Sequence, residues 1–359
     1  MKSGATRQHY VDWLRVIATI GIFLFHNSRP YDDGDWHVKN AQLSPGATQF
    51  VEFMNIWMMP LFFVLSGAAV YYSLRSRNGG SFLKERFFRI MVPWFITGIF
   101  VMSPPQVYLE RLSHGEFDGS FFQFLPHYFD GLYTSGGNFA WMGLHTWYLM
   151  MLSVFSVVLL PLLWVPVGVV ALLSSAIGLG FTEQMGSWDI LSYAMFFTLG
   201  YMLFASPGLQ ESIRKQGGWF LLAAVAFSAL HMVLKFSVRP AFYEDIDFRL
   251  LATWGWIVGL LWIGGRMLNF TNRFLAHVNE MVLPFYILHQ TVIVIIAYFV
   301  VRTSLAIPFK YGITAVTSFL VIVILYELLV SRIGVLRFLF GMRGKAAASK
   351  PRRAAASVT

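Results

Sequence analysis

The segment Tyr10–Ser28, YVDWLRVIATIGIFLFHNS, carries three groups capable of ionic or acid–base chemistry: Asp12, Arg15 and His26. Arg15 and His26 lie eleven residues apart. At about 100° per residue this is roughly 1,100°, some 20° from three whole turns, so a helix projects both from one face. Their axial separation is about 16–17 Å, roughly half the hydrocarbon thickness of a bilayer. Asp12 sits one turn before Arg15, within reach of an i,i+3 pair. An imidazole can take the proton of an attacking hydroxyl, and a guanidinium grips anionic oxygens in a fork. A charge inside a membrane span costs about 2.5–3.5 kcal/mol even on the lenient insertion scale, so such groups normally face a protein interior or a watery cavity. The plainer alternatives are that Arg15 snorkels to the interface with Asp12 as its cap, and that His26 is a neutral hydrogen-bonder between helices.

The element that must position these groups is a membrane helix among others. Of the 359 residues, 57% are hydrophobic and only 13% charged, against about 25% charged in soluble domains. Mean hydropathy is +0.59. The apolar runs are continuous rather than alternating, which favours helices over a β-barrel. The predicted fold is therefore all-α, a polytopic bundle. Ten spans are expected at about 11–29, 48–74, 87–107, 145–163, 165–181, 189–205, 219–236, 251–267, 281–301 and 311–330, each near the ~20 residues a bilayer requires. The chain reads as one membrane domain over 1–332, followed by a basic tail over 333–359 that is disordered at its end. The first segment has no small-x-small cleavage site after its apolar run, so it reads as a span rather than a removable leader. The outer segment 108–144 is expected to re-enter the membrane or lie along its interface.

The net charge of +9 does not indicate nucleic acid, because of where the charge sits. With the N-terminus inside, 18 of the 27 Lys and Arg residues fall on the cytoplasmic side, as the positive-inside rule requires, and both termini are then cytoplasmic. Cysteine is absent, which excludes thiolate nucleophiles and Cys-ligated metals. The nine His residues show no ligand spacing, so no metal is expected.

Several motifs then fall in a recognisable order. R-x10-H within the first span, LRVIATIGIFLFH, is followed by PLFFVLSG (Pro60–Gly67) and by FLKERFFRIMVPW (Phe82–Trp94) with Arg86 and Arg89. Later come HTWYLMML (His145–Leu152) and LPFYILHQTVI (Leu283–Ile293). Together they resemble the acyltransferase family 3 membrane enzymes, over nearly the whole chain. FHNS, DWHVKNA (Asp35–Ala41) and ILYELLVSRIGVLRFLFG (Ile324–Gly341) bring the likeness closer to the periplasmic glucan succinyltransferase branch. Residues 160–280 show no branch-specific match.

The resemblance implies a multi-pass enzyme of the bacterial inner membrane. It would move a succinyl or acetyl group from cytoplasmic acyl-CoA to a hydroxyl of an extracytoplasmic glucan or other glycan. His26 would be the general base, with Arg15 and Asp12 beside it; an acyl-histidine route stays open. Arg86 and Arg89, joined by Lys84, would hold the phosphates of succinyl-CoA or acetyl-CoA, unless that cluster merely follows the positive-inside rule. Asn27, Trp147 and Tyr148 are candidate oxyanion donors. His145 and His289 match family positions, as participants or as structural hydrogen-bonders. Trp36 and His37, with Asp32, Asp33, Asp35 and Asn40, form a polar, aromatic-edged loop suited to sugar or simply to solvent. Glu327 is expected to pair with Arg332, and Ser66, Gly67 and Gln290 to pack helices. The expected partners are acyl-CoA, a glycan acceptor and the lipid bilayer, with self-association left open and nucleic acid excluded. A proton-coupled transporter or flippase is the main rival, but the similar halves it predicts are not seen. A non-catalytic partner of a glycan synthase would leave the buried charges unexplained.

Overall fold

A helix carrying Asp12, Arg15 and His26 persists in an apolar bundle only if other helices enclose it, and four do. The computed structural model describes residues 8–130, 139–158, 184–185, 188–238 and 248–344. Its helices are α1 (His9–Ser28), α2 (Pro45–Ser76), α3 (Gly79–Arg86), α4 (Ser103–His114), α5 (Phe121–Phe124), α6 (Trp147–Val158), α7 (Ile190–Ala205), α8 (Pro207–Val233), α9 (Phe248–Met267), α10 (Arg273–Val300), α11 (Ile307–Leu325) and α12 (Gly334–Leu339). The π-helical turns Phe87–Met91 and Pro93–Met102 join α3 to α4. A two-residue antiparallel pair, Gln184–Met185 with Trp188–Asp189, precedes α7. α1 packs against α2, α9, α10 and α11, burying Leu14, Ala18 and Ile22 in the main core.

Local chemistry starts these helices where the sequence provides a cap. The side chains of Ser44, Asn78, Ser206 and Asn272 each accept the backbone N–H three residues on, satisfying one of the donors left orphaned at a helix start. Between α2 and α7 the contact is backbone to backbone. A Cβ on Gly67 would lie 2.0 Å from the Phe197 carbonyl oxygen, and one on Gly200 would lie 2.1 Å from that of Val64. Small residues permit this approach, as at membrane helix crossings generally. The packing role expected of Gly67 is what the structure shows.

Among the described residues, six helices are long and apolar enough to cross a membrane: Pro45–Ser76, Gly79–His114, Pro207–Val238, Phe248–Met267, Arg273–Val300 and Ile307–Val330. α1 has 20 residues, a spanning length, but its polar groups keep it out of that set. α6 and α7 are shorter apolar helices. The expected span 165–181 and the last residues of 145–163 lie outside the described residues. The expected span 87–107 is longer in the structure, running unbroken over Gly79–His114. The segment after it folds back on its own helix: Phe124, Tyr128, Ala140 and Leu144 bury against Val107, and the Tyr128 hydroxyl donates to the Ile99 carbonyl at 2.7 Å.

The start of the expected tail is ordered. Arg337 of α12 is buried and donates to Glu280 at 2.9 Å and to the Arg343 carbonyl at 2.7 Å. The tail's end, 345–359, lies outside the described residues. Glu327 takes a different partner from the one expected. Its carboxylate meets His277 at 2.7 Å, while Arg332 donates to its main-chain oxygen at 2.9 Å; the π turn Tyr326–Val330 presents that carbonyl instead.

Candidate active site

Arg15 and His26 do share a face, and both address α10. Arg15 reaches Asp12 at 3.4 Å and Asn279 at 3.5 Å, and His26 Nδ1 lies 2.8 Å from His289 Nε2. The ring protons follow from the network. His289 Nδ1 is 2.6 Å from the Tyr286 carbonyl oxygen, which can only accept, so Nδ1 carries hydrogen. His289 Nε2 is then the acceptor in a neutral ring, and His26 Nδ1–H donates to it. This leaves the lone pair on His26 Nε2.

That imidazole looks inward. His26 lines a cavity of about 110 Å³ with Asn55 and Met58 of α2, His145, Trp147 of α6, Tyr193 of α7 and Tyr286 of α10, among others. His145 stands on a tight turn: Gly143 has φ 82° and Leu144 φ 48°, the one non-glycine positive φ among the described residues. A non-glycine residue held there signals a constrained backbone, a feature concentrated at functional sites. The turn is fastened by Trp94, whose indole donates to the Met142 carbonyl at 2.7 Å. His145 Nε2 donates to the Ile287 carbonyl at 3.0 Å. Its Nδ1 is buried without a hydrogen-bond partner among the described residues. The His145 and His289 rings meet edge to face, with centroids 5.1 Å apart.

Of the three expected oxyanion donors, only Trp147 lines the cavity. Asn27 is fully buried and its amide donates to the Phe23 carbonyl of its own helix at 2.8 Å. Tyr148 is engaged with Ser66 at 2.5 Å and donates to the Phe62 carbonyl at 3.2 Å. Ser66 thus anchors Tyr148 as well as packing helices.

The basic residues divide. Arg86 lies 5.1 Å over the Phe82 ring, forms no hydrogen bond or ion pair among the described residues, and is within Coulomb range of Arg15 and Tyr148. Arg89 is spent on Glu85 at 3.0 Å and on the Gly341 carbonyl at 3.0 Å. Arg86 and Arg89 stay within Coulomb range of each other; what differs is that the donors of Arg89 are occupied and those of Arg86, among the described residues, are not. Glu85 also pairs with Arg77 and lies 3.7 Å from Arg343. Lys84 is exposed. From Arg86 the polar groups continue through Tyr148 and Tyr286, whose rings are 5.7 Å apart, to His289 and His26.

The expected surface loop is largely internal. Asp32, His37 and Asn40 are buried, while Asp33 and Asp35 are exposed and Trp36 is half-buried. Asp32 holds Arg29 and Lys39; burial lowers the Lys39 pKa from its ordinary value, with the Asp32 carboxylate working against that shift. His37 Nδ1 donates to the Glu110 carboxylate and its Nε2 accepts from Gln290 at 3.1 Å. Gln290 also donates to Gln106 at 2.9 Å, so it belongs to a buried polar chain rather than to helix packing alone. Tyr286, Glu110 and Asn279 escaped sequence reasoning. Only Tyr286 had a signal, one turn before His289 in the same motif.

The acyltransferase domain family matches residues 8–327 of the chain. Glucans biosynthesis protein C of Escherichia coli O6:K15:H31 (strain 536 / UPEC) is 24% identical over 375 aligned residues, which cover 94% of each chain. The protein of that name from Escherichia coli strain K12 is similar to the same extent. No solved structure matches this chain.

Proposed function

The chain belongs to the acyltransferase domain family, and from that premise we propose that this membrane acyltransferase carries a succinyl or acetyl group from cytoplasmic acyl-CoA to a hydroxyl of an extracytoplasmic glucan. The observation that carries the reading is the His26–His289 contact of 2.8 Å, which leaves the lone pair on Nε2 of an imidazole that lines a cavity. In the step we infer, the acceptor oxygen attacks the thioester carbonyl as His26 Nε2 takes its proton. The C–S bond then breaks, and the departing thiolate takes that proton from the imidazolium, giving an ester and free CoA. Trp147 offers its indole N–H to the developing oxyanion.

Arg86, without a partner anion among the described residues and within Coulomb range of Arg15, is the group best placed to meet a CoA phosphate. The cavity of about 110 Å³ suits a short acyl chain. The glucan assignment is supported by the name of the E. coli relatives, and the inner membrane by the charge bias of the sequence. Purified protein in lipid, given labelled succinyl- or acetyl-CoA and a glucan, tests the proposal. His26→Ala and Arg15→Ala should each lower transfer, His26→Ala by about 100-fold or more. Wild-type rates in both variants would reject it, and flux of intact glycan without acylation would favour the transporter.

A further inference from the structure

At the end of the bundle where α1 finishes lies a larger cavity, of about 540 Å³, within the several-hundred Å³ range of small-molecule sites. It is bounded by residues 38–42, the end of α4, the turn after α10 and the start of α11. No Asp or Glu lines it, but Lys39, Arg302 and Lys310 do. Lys39 is paired with Asp32 at 2.8 Å, a carboxylate it shares with Arg29. The other two cations have no carboxylate partner among the described residues. Lys310 is only 6% exposed and donates to Asn40 Oδ1 at 2.7 Å and to the Val301 carbonyl at 2.9 Å, leaving its third N–H uncommitted. The Arg302 guanidinium rests 3.4 Å from the centroid of the Tyr298 ring and donates to that residue's carbonyl, with the rest of its fork unused. Carbonyl oxygens satisfy hydrogens but do not cancel charge, and burying an unpaired ammonium is unfavourable unless an anion completes the site. A recess lined by one sign of charge also concentrates its field on a ligand of the opposite sign.

We propose that this cavity binds an anionic oxygen group, phosphate or carboxylate, carried by the acceptor chain and held between Lys310 and Arg302. The identity of the carrier rests on the acyl-transfer reading. The cavity at His26 is about five times smaller, so the bulk of a glycan must be held elsewhere. Residues 38–42 follow directly on His37, which bonds Gln290, the neighbour of His289. Along α10, His289 and Val301 are about 18 Å apart, so the ligand is an oligosaccharide rather than a single sugar.

The test is calorimetric titration of the full-length protein in phosphatidylcholine nanodiscs with a carboxymethylated glucan oligosaccharide and its neutral parent. We expect the anionic form to bind about 10-fold or more tightly than the neutral one, and Arg302→Gln to remove that advantage. Arg302 is exposed, so its replacement leaves the core intact. Equal affinity for the two oligosaccharides, or wild-type binding by Arg302→Gln, overturns the proposal. Loss of binding when the nanodiscs contain phosphatidylglycerol assigns the site to a lipid headgroup and overturns the acceptor assignment. Binding that persists in a protein unable to transfer label refutes acyl transfer and leaves the anion site standing.

Discussion

The tautomer of His26 is set by the ring beside it. With His289 Nδ1 fixed on the Tyr286 carbonyl, the only hydrogen-bonding arrangement for two neutral rings 2.8 Å apart puts the free lone pair on His26 Nε2. The same pattern in hydrolases depends on a buried partner that holds the imidazole in one tautomer. In His289→Gln the amide oxygen can still accept from His26 Nδ1–H, whereas in His289→Leu nothing can. Turnover in the leucine variant should therefore fall about 100-fold or more, with a smaller loss in the glutamine variant and little change in KM for either. Equal losses in the two would show that His289 acts only by filling space.

The elements hold these residues through contacts too close for side chains. α2 supplies Asn55 and Met58 to the cavity and α7 supplies Tyr193, and the two helices are locked at Gly67 and Gly200. A branched side chain at either position would drive into a facing carbonyl, 2.0 or 2.1 Å from its first carbon. Overpacking of this kind costs about 1–3 kcal/mol or more. Gly67→Val and Gly200→Val should each lower the melting temperature and the yield of monodisperse protein, and lower transfer with it. Gly312→Ala, where an added carbon meets nothing within 4 Å, should leave all three unchanged; a matching loss there would remove the packing explanation.

Across the whole molecule the polar groups form one column, from Glu85 with its arginines, through Arg86, Tyr148 and Tyr286, to the three imidazoles. Because Arg86 has no hydrogen-bond or ion-pair partner among the described residues and Arg89 is already bound to Glu85 and Gly341, the two arginines should contribute unequally. Arg86→Ala should weaken CoA binding by about 10- to 100-fold, the range of a charge-assisted hydrogen bond, and Arg89→Ala by less. Titration of CoA into the two variants in nanodiscs checks this, and the reverse order would mean that Arg89 leaves Glu85 to take the phosphate.

The sequence by itself determined the helical membrane class, the family and the single face shared by Arg15 and His26, because these depend on composition, motif order and a 3.6-residue period. Those properties are local, so a linear reading reaches them. Tertiary structure alone decided that His145 and His289 converge on His26, since residues 26, 145 and 289 meet only when α1, α10 and the strained turn before α6 come together. It also turned His37 and Asn40 inward, because their partners Glu110, Gln290 and Lys310 lie 73 to 270 residues away in the chain. The different engagement of Arg86 and Arg89 belongs to the same class. Glu85 and the Gly341 carbonyl take up Arg89 through contacts that a basic motif in the sequence does not reveal, one of them 252 residues away in the chain.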